Sequence, residues 1–246
     1  MERKKVALIT GSTGGIGTAL CKRLNQEGYI VVGNSRCNDK ALATKNALKL
    51  QGCNIHMVQG DVSDFESVAR MIKSIERDIG PIDILINNAG ITRDARFTKM
   101  NKEDWDEVMN INLTGVFNCT RQVIDSMIER GYGRIINISS VNGQKGQFGQ
   151  TNYSAAKAGL HGFTKSLALE VAKHGITVNT ISPGYIGTEM VMAVPEKLRE
   201  QIVAQIPVGR LGHIEEVAEA VVYLISDQSS FMTGSNLSIN GGQHMY

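Results

Sequence analysis

The chain contains 246 residues, 42% of them hydrophobic, and carries a formal net charge of +2 at pH 7. This size and composition are sufficient for one large buried core, and the small charge does not indicate nucleic acid or a membrane surface as a partner. No segment reaches the ~18 uninterrupted apolar residues of a membrane span. The four cysteines form no CxxC pair and the five histidines no ligand-spaced pair. We therefore expect reduced thiols, no metal site and a soluble, cytoplasmic protein.

Short apolar runs typical of strands alternate with helical stretches along the whole chain. The predicted strands are residues 5–10, 30–33, 55–60, 82–87, 133–139, 177–182 and 236–239. The predicted helices are residues 18–27, 41–51, 65–79, 102–129 (one long helix or two), 154–174 and 215–226. This alternation is typical of an α/β fold in which helices cover both faces of a doubly wound parallel sheet. Because no linker or internal repeat interrupts it, residues 1–246 are predicted to form a single domain.

One long stretch, residues 184–205, carries no predicted strand or helix. It follows a predicted strand, at the sheet edge where folds of this type bind their ligands. It is therefore either an ordinary surface excursion or a mobile lid over a substrate.

A glycine-rich segment, TGSTGGIG at residues 10–17, joins the first predicted strand to the first predicted helix. Glycines allow the backbone to approach a pyrophosphate, and the N-terminus of the helix offers free N–H groups to the anion. We predict a dinucleotide site here, formed by Gly11, Ser12, Gly15, Ile16 and Gly17.

The end of the second predicted strand distinguishes between the two nicotinamide dinucleotides. Enzymes that use NAD place a carboxylate there, against the ribose hydroxyls, but residues 31–36 read VVGNSR and contain none. Arg36, with Ser35 beside it, can instead pair with a 2′-phosphate. NADPH is therefore the predicted cofactor.

Two further strand ends carry small or polar residues. Asp61, followed by Val62, is placed to hydrogen-bond the adenine amino group. The small residues within Asn88, Ala89 and Gly90 leave room for a ribose. Turn chemistry after a strand is a sufficient explanation for either motif taken alone.

Tyr153 and Lys157 are the most informative pair in the sequence. On a helix, residues four apart share one face. A fixed cation beside a phenol favours the phenolate and moves the phenol pKa toward neutrality. A tyrosine that exchanges a proton near pH 7 is a general acid or base, and beside a dinucleotide site it indicates carbonyl reduction. Taken alone, YxxxK is more often a surface pair.

The motifs TGxxxGIG, NNAG, Ser140 and YxxxK occur in this order and together resemble the short-chain dehydrogenase/reductase family, from the first predicted strand to Gly242. Within the family, residues 139–153 are similar to bacterial acetoacetyl-CoA reductases of polyhydroxyalkanoate synthesis. Residues 88–94 are shared with these and with 3-oxoacyl-acyl-carrier-protein reductases. The resemblance implies an NADPH-dependent, reversible reduction of a 3-oxoacyl thioester, with acetoacetyl-CoA as substrate, to the (R)-3-hydroxyacyl product.

The resemblance also implies roles for single residues. Tyr153 resembles the general acid that protonates the carbonyl oxygen, and Lys157 the residue that binds the nicotinamide ribose and lowers the tyrosine pKa. Ser140 would donate a hydrogen bond to the developing alkoxide, and Asn112 matches a residue that holds a proton-relay water. The contacts implied around the nicotinamide are Pro183, Gly184, Ile186 and Thr188.

Residues between Ser140 and Tyr153 must border the reacting carbonyl. Phe148 would limit the acyl length, and glutamines would bond the thioester or keto oxygens. The expected substrate contacts are Asp94, Lys99, Gln147, Phe148, Gln150 and Tyr185. Basic residues that can meet CoA phosphates are Arg93, Arg96, Lys99 and Lys145. The alternative interpretation is a polar loop with solvated charges and no substrate contact.

Two rival functions stay open. A 3-oxoacyl-acyl-carrier-protein reductase is the first, because Arg130 and Lys173 can supply a basic collar for an acidic carrier. A cofactor-sensing binding protein without catalysis is the second and is disfavoured, since such proteins usually lose the tyrosine or lysine and both are present here.

Members of this family are mostly tetramers, so the resemblance implies a homotetramer. A helix that is apolar on more than one face needs a second partner besides its own sheet. The residues in question are Val116, Phe117, Leu160, Phe163 and Leu167. The last predicted strand, 236–239, would add an edge that another subunit can cover.

Overall fold

The computed structural model describes residues 3–245, without the side chain of Met190. The strands in this range are β1 (Val6–Ile9), β2 (Ile30–Ser35), β3 (His56–Gln59), β4 (Ile82–Asn87), β5 (Gly133–Ile138), β6 (Ile176–Pro183) and β7 (Asn236–Ile239). Neighbouring strands are parallel, in the order β3-β2-β1-β4-β5-β6-β7. The order reverses between β1 and β4, which confirms the predicted doubly wound α/β fold. In such sheets the ligand crevice lies at the carboxyl ends of the strands, where the order reverses.

Helices cover both faces of the sheet, as predicted. Those described are α1 (Gly15–Gln26), α2 (Asn38–Leu50), α3 (Phe65–Asp78), α4 (Lys102–Met109), α5 (Gly115–Arg130), α6 (Val141–Lys145), α7 (Thr151–Val171), α8 (Glu189–Met192), α9 (Glu196–Val203) and α10 (Ile214–Ile225). One buried cluster joins the sheet to α1, α2 and α10 through Leu24, Leu48 and Val221. A second cluster joins the opposite face to α3, α5 and α7.

Strand β1 illustrates why the strands are apolar throughout. Ala7 and Ile9 belong to the first buried cluster, whereas Val6 and Leu8 belong to the second. Successive side chains of a strand point to opposite faces, and here both faces are covered. The strand therefore shows no alternation of apolar and polar residues, and its carboxyl end delivers the chain directly into the glycine-rich turn.

The structure differs from the sequence prediction in two segments. Residues 184–205 have no predicted element but contain α8 and α9, so that prediction is wrong; α9 follows Pro195, whose fixed φ suits the start of a helix. Helix α6 is likewise not predicted. It is a short helix capped by Ser140, whose Oγ accepts the Asn142 N–H at 3.1 Å. Helices as short as these span too few turns to leave a periodic apolar pattern in the sequence.

Residues 102–130 form two helices, one of the two arrangements that the sequence allows. Helices α4 and α5 are joined by a π-helical turn at Asn110–Thr114. Such turns occur most often at functional sites. This one contains Asn112, which the sequence analysis assigns to the catalytic group.

Candidate active site

The glycine-rich turn packs too closely against its surroundings to accept side chains at two of its glycines. Gly11 has a φ of +63°, and a Cβ there would lie 2.7 Å from Ala89 Cα. A Cβ on Gly17 would collide with the Gly11 carbonyl oxygen and lie 2.7 Å from Ser12 Cα. Only glycine is compatible with this packing. The turn opens α1, so it offers the backbone N–H groups at a helix N-terminus that a pyrophosphate site requires.

Asn88 holds this turn in place from the end of β4. Its Nδ2 donates to the carbonyl oxygens of Thr10 and Gly11, both at 3.0 Å. In return, Thr10 Oγ1 accepts the N–H groups of Asn88 at 3.0 Å and Ala89 at 3.1 Å. The Asn88 amide is thus committed to the scaffold, and it leaves the small Ala89 and Gly90 to border the cleft.

The side chains of two predicted cofactor ligands are buried away from the cleft. Ser12 is fully buried, and its Oγ donates to Asn34 O at 3.1 Å. Ile186 is 4% exposed and lines a separate cavity of about 240 Å³ with Ile206 and Glu216. The sequence analysis assigns both residues to the cofactor without specifying side-chain contacts, so that assignment stays a prediction. Any contact that they make with a dinucleotide must come from their backbone.

Thr188 connects the segment after β6 to the glycine turn. A Cβ on Gly15 would lie 3.1 Å from Thr188 Cγ2. Thr188 therefore lies directly against the first residue of α1, beside the glycine-rich turn. Pro183 ends β6, and Gly184 sits so close to Asn240 that a Cβ would approach its Cα within 2.8 Å.

The predicted catalytic lysine is buried beneath the cleft. Lys157 is 4% exposed, and its Nζ donates to Ile138 O at 2.7 Å. The same Nζ lies 5.7 Å from the centre of the Tyr153 ring. A Cβ on Gly90 would lie 3.5 Å from Lys157 Nζ and 3.3 Å from Asn112 Oδ1. The structure thus brings Tyr153, Lys157 and Asn112 together around the small Gly90.

Burial controls the protonation of the pair. It raises the pKa of Tyr153, with Asp94 acting in the same direction and a hydrogen bond with Ser140 opposing both. Burial also lowers the pKa of Lys157 from 10.5 to about 8. The expectation that the tyrosine pKa moves toward neutrality is therefore wrong for the cofactor-free protein. At neutral pH the phenol keeps its proton, which is the form that can protonate a carbonyl oxygen.

Both polar atoms of the Asn112 side chain bond to the neighbouring loop. Its Nδ2 donates to Ile91 O, and its Oδ1 accepts the Ile91 N–H, each at 2.8 Å. This pair of hydrogen bonds holds Ile91, the residue that follows Gly90, in place. A role of Asn112 in holding a proton-relay water stays a prediction, and it would fall to the backbone of the π-helical turn.

A groove beside β3 brings together residues predicted to bind the adenosine half of the cofactor. It has a volume of about 430 Å³ and is lined by Arg36, Gln59, Gly60, Asp61, Ser67, Arg70, Met71 and Ser74. Asp61 Oδ1 accepts hydrogen bonds from Ser63 N at 2.9 Å and Ser63 Oγ at 2.7 Å. The neighbouring Ser35 Oγ donates to Cys37 O at 3.1 Å, so that hydroxyl supports the loop that carries Arg36.

The sequence analysis missed Arg70, which lines this groove. The available signal is the spacing of Ser67, Arg70 and Ser74, which share one face of α3.

Val62 is buried against α5, where a Cβ on Gly115 would lie 3.0 Å from its Cγ2. The glycine-rich turn and Arg36 together fit a dinucleotide. The groove places the guanidinium groups of Arg36 and Arg70 within reach of one ligand.

Comparison with known proteins agrees with this geometry. The sequence profile of the short chain dehydrogenases matches residues 5–199. The chain belongs to the short-chain dehydrogenase family. A protein from Rhizobium meliloti named acetoacetyl-CoA reductase is 56% identical over 241 residues, which cover 98% of each chain. One of the same name from Allochromatium vinosum is 53% identical over 244 residues, covering 98% of this chain and 99% of the relative. A 3-oxoacyl-acyl-carrier-protein reductase from Haemophilus influenzae is 44% identical over 241 residues, covering 98% of each chain.

Two loops that carry the predicted substrate residues of this short-chain dehydrogenase bond to each other. Gln150 Nε2 donates to Asp94 Oδ2, and Gln150 Oε1 accepts from Asn142 Nδ2, both at 2.9 Å. Ala95 N also donates to Gly149 O at 2.9 Å. In this structure the Asp94 and Gln150 side chains bind each other across the loops, and their contact with a substrate stays a prediction.

The remaining predicted substrate residues border the open side of the cleft. Phe148 is 79% exposed, and the Arg96 guanidinium lies 5.6 Å from the centre of its ring. Gln147 and Lys99 are exposed, and Tyr185 is half-buried, with burial raising its pKa. Substrate contact by these side chains stays a prediction.

The described residues meet the requirements of neither a metal site nor a membrane-spanning helix. Among residues 3–245, no group of three or more His, Cys, Asp or Glu side chains is arranged to hold a metal ion. In the same part of the chain, no helix combines the length and the apolar character needed to cross a membrane.

Proposed function

We propose that this short-chain dehydrogenase is an NADPH-dependent acetoacetyl-CoA reductase that forms (R)-3-hydroxybutanoyl-CoA. The observation that carries the proposal is the half-buried Tyr153 and the buried Lys157 beside Ser140 and Gly90, in a chain whose glycine-rich turn packs against the neighbouring Ala89. Relatives that bear this activity in their names are 53–56% identical over nearly the whole chain.

The protein's own residues can supply the proton and the charge balance of the reduction. Tyr153 holds its proton at neutral pH and can deliver it to the carbonyl oxygen. The Ser140 hydroxyl can donate to the same oxygen as negative charge develops there. Lys157, with a pKa of about 8, is mostly cationic at pH 7 and stabilises the phenolate that remains. When bound, NADPH supplies the hydride.

Preference for NADPH rests on the groove beside β3. The end of β2 presents Arg36 where enzymes that use NAD carry a carboxylate. A guanidinium pairs with a phosphate in a charge-assisted, bidentate manner, which NADH cannot reciprocate. Arg70 lines the same groove and can add a second positive charge.

We also propose that residues 184–205 act as a lid over the substrate. The segment leaves β6 at the carboxyl edge of the sheet, and Thr188 already lies against Gly15 of the cofactor turn. Its two helices, α8 and α9, are short and largely exposed. A segment with so little buried surface can open and close at low cost.

We further propose a homotetramer. Phe117 on α5 is 48% exposed and stacks on Phe65 of α3, with ring centres 6.4 Å apart. Phe163 and Leu167 on α7 are partly exposed, and β7 is an edge strand. Val116 and Leu160, by contrast, are buried within the protomer, so their predicted place in an interface is corrected.

A direct assay distinguishes this activity from that of a carrier-protein reductase, which the 44% identical relative represents. Oxidation of NADPH and NADH is measured with acetoacetyl-CoA and with acetoacetyl carrier protein at equal concentrations. We expect kcat/KM to be highest for NADPH with acetoacetyl-CoA. A higher value with the carrier-protein substrate would support the second activity, and no turnover with either thioester would contradict both.

A further inference from the structure

A half-buried histidine outside the predicted site, His161, lies one helical turn after Lys157 on α7. Its Nε2 is 3.1 Å from Ser139 Oγ and 3.3 Å from Ser182 Oγ. Ser139 and Ser182 lie at the carboxyl ends of β5 and β6, next to Ser140 and Pro183 respectively. A single imidazole nitrogen therefore joins α7 to the two strands that end at the reaction centre.

The hydroxyl protons of both serines are already used. Ser139 Oγ donates to Lys157 O at 2.8 Å, and Ser182 Oγ donates to Asn236 Oδ1 at 2.7 Å. A hydroxyl has one proton, so each oxygen can only accept from the imidazole. His161 must then carry its proton on Nε2 and donate to both serines. Burial lowers the pKa of His161, with Lys165 acting in the same direction, which favours this neutral form.

Further hydrogen bonds lead from Ser182 to α6, the short helix that begins after Ser140. Asn236 Nδ2 lies 3.5 Å from Ser238 Oγ, and Gln144 Nε2 donates to that oxygen at 2.9 Å. Gln144 belongs to α6, the short helix that Ser140 caps. The residues of this network link α7 to the helix that Ser140 caps: His161, Ser139, Ser182, Asn236, Ser238 and Gln144.

We propose that His161 is a positioning residue of the active site, acting through Ser139 on Lys157 and Ser140. Two bonds of opposite direction join β5 to Lys157, from Lys157 Nζ to Ile138 O and from Ser139 Oγ to Lys157 O. The His161 donor fixes the rotamer of Ser139 that makes the second bond. This inference rests on the proposed reductase function.

Three variants test the role. His161→Leu keeps apolar bulk but removes the donor, and we expect kcat to fall about tenfold at nearly constant KM, because small misplacements of catalytic groups slow the reaction more than they weaken binding. His161→Gln restores an N–H donor near the Nε2 position and should recover roughly half of the wild-type kcat or more. Val171→Ala, in the core at the end of α7, is the control for lost stability and should leave kcat within about twofold of wild type.

Two measurements distinguish positioning of the catalytic groups by His161 from a contribution to fold stability alone. The alkaline limb of the pH profile of kcat should move in His161→Leu and stay in Val171→Ala. Nitrogen-15 NMR of the wild-type imidazole should show the neutral tautomer protonated on Nε2. An Nδ1-protonated tautomer, or a His161→Leu variant with unchanged kcat and pH profile, would overturn the proposal. A wild-type protein without thioester turnover would contradict the proposed function. The tautomer seen by NMR would still test whether His161 donates to Ser139 and Ser182.

Discussion

At the scale of single residues, the site holds a buried cation that the folded protein must accommodate. Lys157 has a pKa of about 8 in the folded protein and 10.5 as its ordinary value. Between these two values the unfolded chain binds the lysine proton and the folded chain does not, so stability rises with pH across this window. Below pH 8 the folded protein carries the full cost of the buried ammonium.

Replacing Lys157 with methionine should therefore stabilise the cofactor-free protein. A shift of one pKa unit corresponds to about 1.4 kcal/mol, and loss of the bond to Ile138 offsets part of the gain. We expect Lys157→Met to raise the free energy of unfolding by about 1–3 kcal/mol at pH 7. Urea denaturation at matched protein concentration should show this gain shrinking as the pH approaches 10.5. A variant that is less stable than wild type at pH 7 would show that burial of the Lys157 ammonium does not destabilise the folded protein.

The choice of cofactor can also be tested at one residue. Arg36→Ala should weaken NADPH binding about ten- to hundredfold, because a charge-assisted hydrogen bond contributes roughly 1.5–3 kcal/mol. Binding of NADH, which lacks the phosphate, should hardly change. Fluorescence titration of both nucleotides measures this directly, with Arg121→Ala on the exposed face of α5 as the control. Equal losses for both nucleotides would assign Arg36 to a structural role.

At the scale of elements, the substrate side depends on how two loops hold each other. Gln150 bridges Asp94 and Asn142 with both atoms of its amide. Gln150→Ala removes both bonds, and at about 1 kcal/mol each we expect a fall of roughly five- to thirtyfold in kcat/KM. Gln150→Glu keeps an acceptor for Asn142 but places a carboxylate against Asp94.

Steady-state kinetics with acetoacetyl-CoA at pH 7 should rank the three proteins as wild type, Gln150→Ala, Gln150→Glu in falling kcat/KM. Like charges at hydrogen-bond distance repel, so the glutamate variant should be the least active. A glutamate variant that equals or exceeds wild type would show that the bridge to Asp94 has no part in shaping the cleft.

The elements themselves could largely be predicted from the sequence. The mostly apolar β4 and the alternating polar and apolar β7 both have predicted bounds that agree with the observed ones. The glycine turn and the Tyr153 and Lys157 pair were identifiable because local spacing defines them. The partners of Gln150 and the lowered pKa of Lys157 could not be predicted. They arise from contacts between distant segments and from burial, which no local pattern records.

At the scale of the whole molecule, one face of α5 carries a large apolar side chain that is partly exposed within the protomer. Phe117 is 48% exposed there, against Phe65. We expect Phe117→Glu to reduce the proposed tetramer to smaller species in analytical ultracentrifugation at micromolar concentration, since a buried unpaired charge is costly at an interface. Leu50→Glu is the control, because Leu50 is 90% exposed at the end of α2, on the other face of the sheet. A wild-type monomer, or a tetramer unaffected by Phe117→Glu, would contradict this interface.

The central claim is that Tyr153 delivers the proton in a carbonyl reduction, and single-turnover kinetics of Tyr153→Phe test it most directly. The variant keeps the ring and loses the transferable proton. With acetoacetyl-CoA added to the preformed NADPH complex, we expect the rate of NADPH oxidation to fall about 10²–10⁴-fold, while the Kd for NADPH stays near that of wild type. A Tyr153→Phe variant that binds NADPH and oxidises it at close to the wild-type rate would contradict the account.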